Sequence, residues 1–354
     1  MKIELQADEL LSCVSEVAKV INGKISIGVM NGVRITSTAS TVTVSASNME
    51  QWLSCEMPVE AAQPGDYVAS PRLLTAALAS MGKAKIEVTC DGKKLTIKEG
   101  KNVANIPVID PKGWVEVPSS QTFVPVLQLT APVVADMMWV AKAVCTDGTR
   151  INISGVHVSP RDGMIAASDG KRAHCAEVAV TDAPSLTIPN DTLGRLREIA
   201  GKAESPMLEV SQSMMRIVAG GWTFVSKVID TNWPLATLKR MMVWNGLKNT
   251  AKMSRDQMLA CIKSVTAFDT EFSAIGITCE ALGVRVTCAS NDGDVERWVD
   301  GGGSCEFRVS GKLMSELISG GGEEIEIRNE DKDSPIAMKC GGRHGVVMPM
   351  KLNK

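Results

Sequence analysis

Aromatic side chains are scarce in this chain: Phe, Trp and Tyr make up 4% of 354 residues, so core volume falls to valine and to 19 methionines. Histidine is rarer still, with three. The ten cysteines stand singly, none in a C-x-x-C pair. Those absences exclude the common zinc spacings and a disulfide scaffold, and no metal or cofactor is expected. Cys90, Cys279 and Cys288 instead fall inside alternating patterns, where a free thiol serves as a small apolar residue. No glycine-rich phosphate loop of the form GxxxxGK[ST] occurs, and glycines 301–303 and 320–322 are read as preceding strands. The net charge of −2 supplies no bulk attraction to nucleic acid, although a basic face balanced by an acidic one remains compatible with it. No apolar run approaches the roughly 20 residues of a membrane helix. Residues 1–5 alternate like a strand and carry no signal-peptide core. A cytoplasmic, reduced protein without a membrane partner is the expectation.

What the chain does have is a repeat. Leu73, Leu193 and Leu313 each sit in an apolar run of helical spacing, and each follows a strand-like run that closes on a polar turn. Those turns are Ala46-Ser47-Asn48, Ala167-Ser168-Asp169 and Ala289-Ser290-Asn291. A second amphipathic stretch comes earlier in every unit, near 10–20, 133–144 and 258–268. A period near 120 residues exceeds a solenoid repeat and matches a small domain. The chain therefore reads as three copies of one fold, with domains at 1–119, 120–246 and 247–354.

The first copy predicts strands over 2–6, 32–38, 41–47, 52–59, 85–90, 94–98 and 102–108 from their period-2 alternation. Asp8 and Ser70 are the expected N-caps of its two helices, Ser70 being followed by Pro71. The second copy places helices from about Pro132 and Pro189, the third from Ser254 and between Ser310 and Ile318. Each copy is α+β, two helices covering one sheet face. Such a unit leaves open sheet edges, which closure into a ring removes, and a two-fold dimer of six units is the simplest closed form.

Four segments resemble the bacterial DNA polymerase III β sliding clamp family. Ile165-Ala166-Ala167-Ser168-Asp169-Gly170-Lys171-Arg172 is similar to its "ATDGHR" turn, and Val346-Val347-Met348-Pro349-Met350-Lys351-Leu352 to its "VVMPMRL" terminus. Phe224-Val225-Ser226-Lys227-Val228-Ile229-Asp230 with Trp233-Pro234 resembles "FTSKLVDGRFP", and residues 1–11 resemble the family's opening. The resemblance implies a head-to-tail homodimer, a six-domain ring around double-stranded DNA with helices inside. It implies a non-catalytic processivity factor that tethers the replicative polymerase, works with a clamp loader and serves repair proteins. Tethering raises effective concentration, and phosphate attraction without base readout permits sliding.

Carried over position by position, a hydrophobic partner-peptide pocket between the second and third domains falls on Ile153, Ser168, Gly170, Lys171, Arg172, Ala173, Pro234, Val346, Val347, Met348, Pro349, Met350 and Leu352. Lys171 and Ala173 stand where the family often has His and Leu. The DNA-facing residues implied are Lys24, Arg150, Arg72, Lys142, Arg195, Arg197, Lys202 and Lys263. Two other readings are open to test. One is a clamp-like peptide scaffold that does not encircle DNA. The other is a Cys–His hydrolase using His174 and Cys175, which adjacency in a strand already disfavours because neighbours point to opposite faces.

Overall fold

The computed structural model describes every residue except 22, 24, 60, 61, 243, 269–272, 291, 292 and 351–354, and only the backbone of residues 62 and 290. Among the described residues there are seven α-helices: α1 (Ala7–Ala18), α2 (Pro71–Ala79), α3 (Ala131–Ala141), α4 (Asn190–Ala200), α5 (Leu235–Met241), α6 (Arg255–Val265) and α7 (Gly311–Ile318). Six of them occupy the paired positions of the repeat, and α5 is an addition that the repeat does not predict. None is long and apolar enough to cross a membrane.

Why these segments are helical is local. In α1 the buried residues Leu10, Cys13, Val14 and Val17 fall at i, i+3, i+4 and i+7, one stripe of a helix. The expected cap at Asp8 is displaced. Strand Lys2–Gln6 runs straight into the helix, so Gln6 takes the cap position without a side-chain bond. Asp8 lies in the first turn, where its carboxylate accepts from the Glu9 amide at 3.1 Å. Ser70 does precede Pro71 at the start of α2, but its hydroxyl makes no capping bond. The cap at Ser254 is made: its hydroxyl accepts from the Gln257 amide at 3.5 Å.

Two compact units account for the contacts, Met1–Thr130 with Gly194–Lys227 and Ala131–Leu193 with Val228–Lys354. They do not coincide with the boundaries 1–119, 120–246 and 247–354, and sheet pairing is the reason. In the first unit, strand Gln51–Pro58 pairs antiparallel with Trp222–Lys227 and merges the strands around each into one 13-stranded sheet. In the second, Arg172–Glu177 pairs antiparallel with Arg343–Val347 inside a nine-stranded sheet, beside a separate sheet of four. Hydrogen-bonded ladders thus divide the second repeat between the two units.

Each core lies between helices and sheet. In the first unit Leu10, Val14 and Val17 of α1 and Leu74 and Leu78 of α2 are fully buried with Ile86, Val88, Leu95 and Ile97 of the sheet. In the second, Met314, Leu317 and Ile318 of α7 join Ile262 and Val265 of α6 and Ile325 and Ile327. The 301–303 glycines precede strand Glu306–Ser310 as expected and also form a short strand themselves, Gly301–Gly303 pairing with Ala251–Met253. A Cβ at Gly301 or Gly303 would lie 2.2 Å from a carbonyl oxygen of the paired strand, and their φ angles of +149° and +150° suit glycine alone.

Candidate functional site

The site is built on the junction of the second unit. Ala173 pairs with Val346, Cys175 with His344 and Ala176 with Arg343, and the Met348 amide extends the ladder by donating to the Lys171 carbonyl at 2.8 Å. Side chains alternate across this sheet. On one face Ala173 and Cys175 join Ala166, Ala337 and Val346 as the floor of an apolar cluster, covered by Ile153, Trp233 and Leu238. Met164, Leu235, Met242, Trp244 and Leu247 pack around it, half-buried.

Arg172 and His174 occupy the opposite face, under α3 and α7. The His174 ring stacks on Trp139 with centroids 4.4 Å apart and meets the Trp139 carbonyl at 3.1 Å. Burial pushes the His174 imidazole down to about 4. The Cys175 thiol, buried among apolar groups, is pushed up to about 12. A neutral ring and a protonated thiol on opposite faces of a sheet make no nucleophile pair, so the hydrolase reading fails on both geometry and protonation.

The turn Ser168-Asp169-Gly170 is fixed by its own side chains. The Asp169 carboxylate accepts from the Lys171 amide at 2.8 Å and the Arg172 amide at 3.0 Å, while the Ser168 hydroxyl donates to the Arg172 carbonyl at 2.7 Å. Gly170 has φ +85°, and a Cβ there would lie 2.9 Å from a guanidinium nitrogen of Arg150. Arg172 is buried. It donates to Asp169 at 3.1 Å and to the Lys142 carbonyl, and it pairs with Glu316 of α7. Burial lowers its pKa, and the Asp169 charge opposes that shift. Arg172 therefore braces the junction against α3 and α7, and its charge reaches neither the apolar cluster nor open solvent.

Two hollows flank the junction within this unit. One, of about 450 Å³, runs along Met164, Cys175, Val178, Val180, Leu238 and Met242, with the Asp162–Lys239 ion pair and Glu177 with His344 at its rim. The other, about 1040 Å³, has Val144, Leu313, Met348, Pro349 and Met350 on its walls, with Lys142, Arg150, Lys171 and Lys312 around them.

The expected pocket residues divide accordingly. Ile153, Ala173 and Val346 lie together in the apolar cluster. Lys171, Met348, Pro349 and Met350 line the larger hollow, as does one edge of the buried Arg172. Ser168 and Gly170 shape the turn, and Pro234 opens α5, its carbonyl accepting from Leu238 at 3.1 Å. Val347 is fully buried opposite Arg172. Leu352 lies outside the described residues, as does Lys24. Trp233, Leu238 and Met242 were not expected. Their signal is the i, i+3, i+7 spacing of Leu235, Leu238 and Met242, a helical pattern just after Pro234.

The basic residues also separate. Arg72, Arg197 and Lys263 are exposed on helices. Arg195 is not free: it pairs with Glu16 at 2.6 Å and with Glu198. Lys202 lies over the Trp222 ring, 5.0 Å from its centroid. Lys142 and Arg150, expected at DNA, line the larger hollow beside the peptide-pocket residues. Burial, then the nearby charges of Arg343 and Arg172, lower the Lys142 pKa.

Residues 1–118 match the family described as DNA polymerase III beta subunit, N-terminal domain. The beta sliding clamp of Bacillus subtilis (strain 168) is 22% identical over 255 residues, 67% of this chain and 67% of that protein. The beta sliding clamp of Micrococcus luteus is 24% identical over 246 residues, 66% of this chain and 78% of that one. Among solved structures, a Caulobacter crescentus beta sliding clamp superimposes with a TM-score of 0.89 at 20% identity, covering 99% of each chain. A Bartonella birtlesii sliding clamp bound to griselimycin gives 0.89 at 16%, covering 99% of this chain and 100% of its own.

Proposed function

We propose that the chain is a bacterial-type β sliding clamp, a reading supported by the family match over residues 1–118 and by the shared fold, and that it closes as a head-to-tail homodimer around duplex DNA and tethers its partners there. It acts as a processivity factor and catalyses nothing itself. The observation that carries this reading is the strand–helix order repeated three times within a fold that runs the full length of known clamps. The three copies, divided near 119 and 246, are the proposed domains.

Two open sheet edges support the dimer. Strand Asn102–Ile109 is paired along one side with Lys94–Glu99, and on the other, among the described residues, only Val108 and Ile109 are paired. Strand Gly293–Val299 pairs, among the described residues, only with Gly283–Ser290. Val103, Ile109 and Trp298, each about half exposed, lie on these strands. A ladder between one copy's first edge and the next copy's second would satisfy both. Arg72, Arg197 and Lys263 supply exposed cations for phosphate contacts. The groove over Ala173, Cys175 and Val346 is the seat for partner peptides, and its methionines suit several sequences.

Light scattering at micromolar concentration tests closure: a ring has about twice the 37.8 kDa mass of one chain. The ring should also stay on circular duplex DNA and leave it after linearisation. A persistent monomer that never stays on circles would establish the scaffold reading instead. Cys175→Ala should leave retention intact, since the thiol only fills space.

A further inference from the structure

The larger hollow of the second unit carries more positive charge than its own carboxylates neutralise. Four exposed cations surround it: Lys142, Arg150, Lys171 and Lys312. Three carboxylates share the space, yet Asp169 and Glu316 are both engaged by the buried Arg172. Asp147 accepts from the Thr149 amide and hydroxyl and lies 3.9 Å from Arg150. Lys142 donates to the Ser319 hydroxyl at 2.9 Å, a neutral partner. The four cations therefore outnumber the carboxylates left to meet them. They come from three separate stretches of sequence around α3, the Ser168 turn and α7, so only the fold assembles them.

The walls between those cations are apolar, with Val144, Leu313, Met348, Pro349 and Met350. That combination argues about the occupant. Phosphates of a duplex gain nothing from a methionine wall. A hollow of about 1040 Å³ also takes an extended chain segment, whereas a rod some 20 Å across does not enter it. An extended peptide with apolar anchors and flanking carboxylates meets both the walls and the rim.

We propose that the partner segments of this clamp are acidic, with carboxylates beside their apolar anchors held by Lys171 and Lys312 and aided by Lys142 and Arg150. This rests on the reading above that partner peptides bind at this junction, extends their seat to the larger hollow, and specifies their ligand class. Lys171 is the centre of the argument. It stands in the turn whose neighbours Asp169 and Arg172 are locked together, and its carbonyl holds the Met348 amide at 2.8 Å. The ammonium is thus carried on a fixed backbone beside the Met348 wall.

The experiment uses three synthetic peptides with the same Leu-Phe anchor, flanked by two Asp, two Asn or two Lys. Their affinities for the full chain are read by fluorescence anisotropy at low and high salt. The Asp peptide should bind about tenfold more tightly than the Asn peptide at low salt, and salt should narrow that ratio. The variant Lys171→Glu/Lys312→Glu should reverse the order and favour the Lys peptide. Circular dichroism keeps an unfolded variant from being read as a reversal, and Lys171→Gln/Lys312→Gln, which should only level the three, gives a second check. Equal binding of Asp and Asn peptides overturns the acidic preference and leaves the groove standing. If no peptide binds, the groove reading falls and the inference with it. An unlabelled linear duplex that displaces the Asp peptide from wild type, and binds more weakly to the charge-reversed variant, assigns the cations to DNA and overturns the proposal.

Discussion

Between Gln51–Pro58 and Trp222–Lys227 one face of the sheet is filled by Trp52 and its neighbours, whereas beside Arg172–Glu177 and Arg343–Val347 hollows remain. The two ladders are alike. Each sets a valine opposite a central residue, Val225 facing Trp52 and Val346 facing Ala173. Each also has a polar side-chain pair near its end, Lys227 with Glu50 at 2.9 Å and Glu177 with His344 at 3.0 Å. The difference is volume. Trp52 fills the first face, donates to the Val115 carbonyl at 2.9 Å and packs with Met214 and Val225 under Val115, Val117 and Phe123. Ala173 is covered instead by Trp233 and Leu238, the latter from α5, and a hollow of about 450 Å³ remains beside it along Met164, Cys175 and Met242. A repeated scaffold becomes a structural seam in one place and a candidate groove in the other through what packs over the same ladder position.

The largest test is at the position where each strand leaves its turn, Arg172 in one junction and Gln51 in the other. Arg172→Ala strands the half-buried Asp169 and Glu316 and should destabilise the second unit by about 3–5 kcal/mol in urea unfolding. Gln51→Ala, which removes no charge, should cost only about 1 kcal/mol. Equal losses would mean that the two junctions are braced alike.

Next in size is Trp52→Ala, which gives the first junction the small side chain that the second has at Ala173, without the Trp233 and Leu238 that cover Ala173 there. A loss of about 3–5 kcal/mol is expected, mostly from the cavity. Ala173→Leu in the second junction should instead weaken peptide binding while leaving dimer mass unchanged. A variant that binds peptide as before would put the groove elsewhere.

Acid should distinguish the units. The chain's three histidines, His157, His174 and His344, all belong to the second unit. Burial pushes His157 and His174 each down to about 4, and His344 is lowered too. A histidine with a depressed folded pKa binds fewer protons folded than unfolded. Its neutral burial costs nothing above the unfolded value of 6.5, and stability falls as pH drops from there to about 4, then levels. The slope is roughly 1.4 kcal/mol per pH unit for each fully buried ring. Hydrogen exchange at pH 7 and pH 5, corrected for intrinsic rates, should show protection lost first in Ala131–Leu193 and Val228–Lys354. Uniform loss across both units would count against this account.

The smallest test is in the two turns. Ser47-Asn48-Met49 repeats Ser168-Asp169-Gly170, and Asn48 accepts from the Glu50 and Gln51 amides at 3.0 and 2.7 Å as Asp169 does from its own. Met49 holds φ +72° despite its side chain, while Gly170 holds +85° freely. Gly170→Ala should cost about 1–2 kcal/mol and displace Arg150. Met49→Gly should change stability by less than about 1 kcal/mol, because relief of strain offsets lost packing.

Strand and helix positions were legible because periodicity is a local property. The strands at 41–47 and 85–90 match Thr41–Ser47 and Lys85–Cys90, and α6 starts directly after Ser254 as expected. The polar turns at Ser47 and Ser168 were legible for the same reason, since their bonds join residues two or three apart, while the third closes on Asn291, outside the described residues. The burial of Arg172 was not legible: its place in the motif is visible, but its partners Glu316 and the Lys142 carbonyl are remote in sequence. The sequence by itself determined the three-fold repeat, the α+β element order, the scarcity of histidine and the family resemblance. Only the tertiary structure decided that ladders would join strands far apart in the chain, that Ala173 would lie under Trp233 and Leu238, and that Lys142, Arg150, Lys171 and Lys312 would surround one hollow. Patterning acts over a few residues, whereas burial and charge summation depend on which distant segments the sheet brings together.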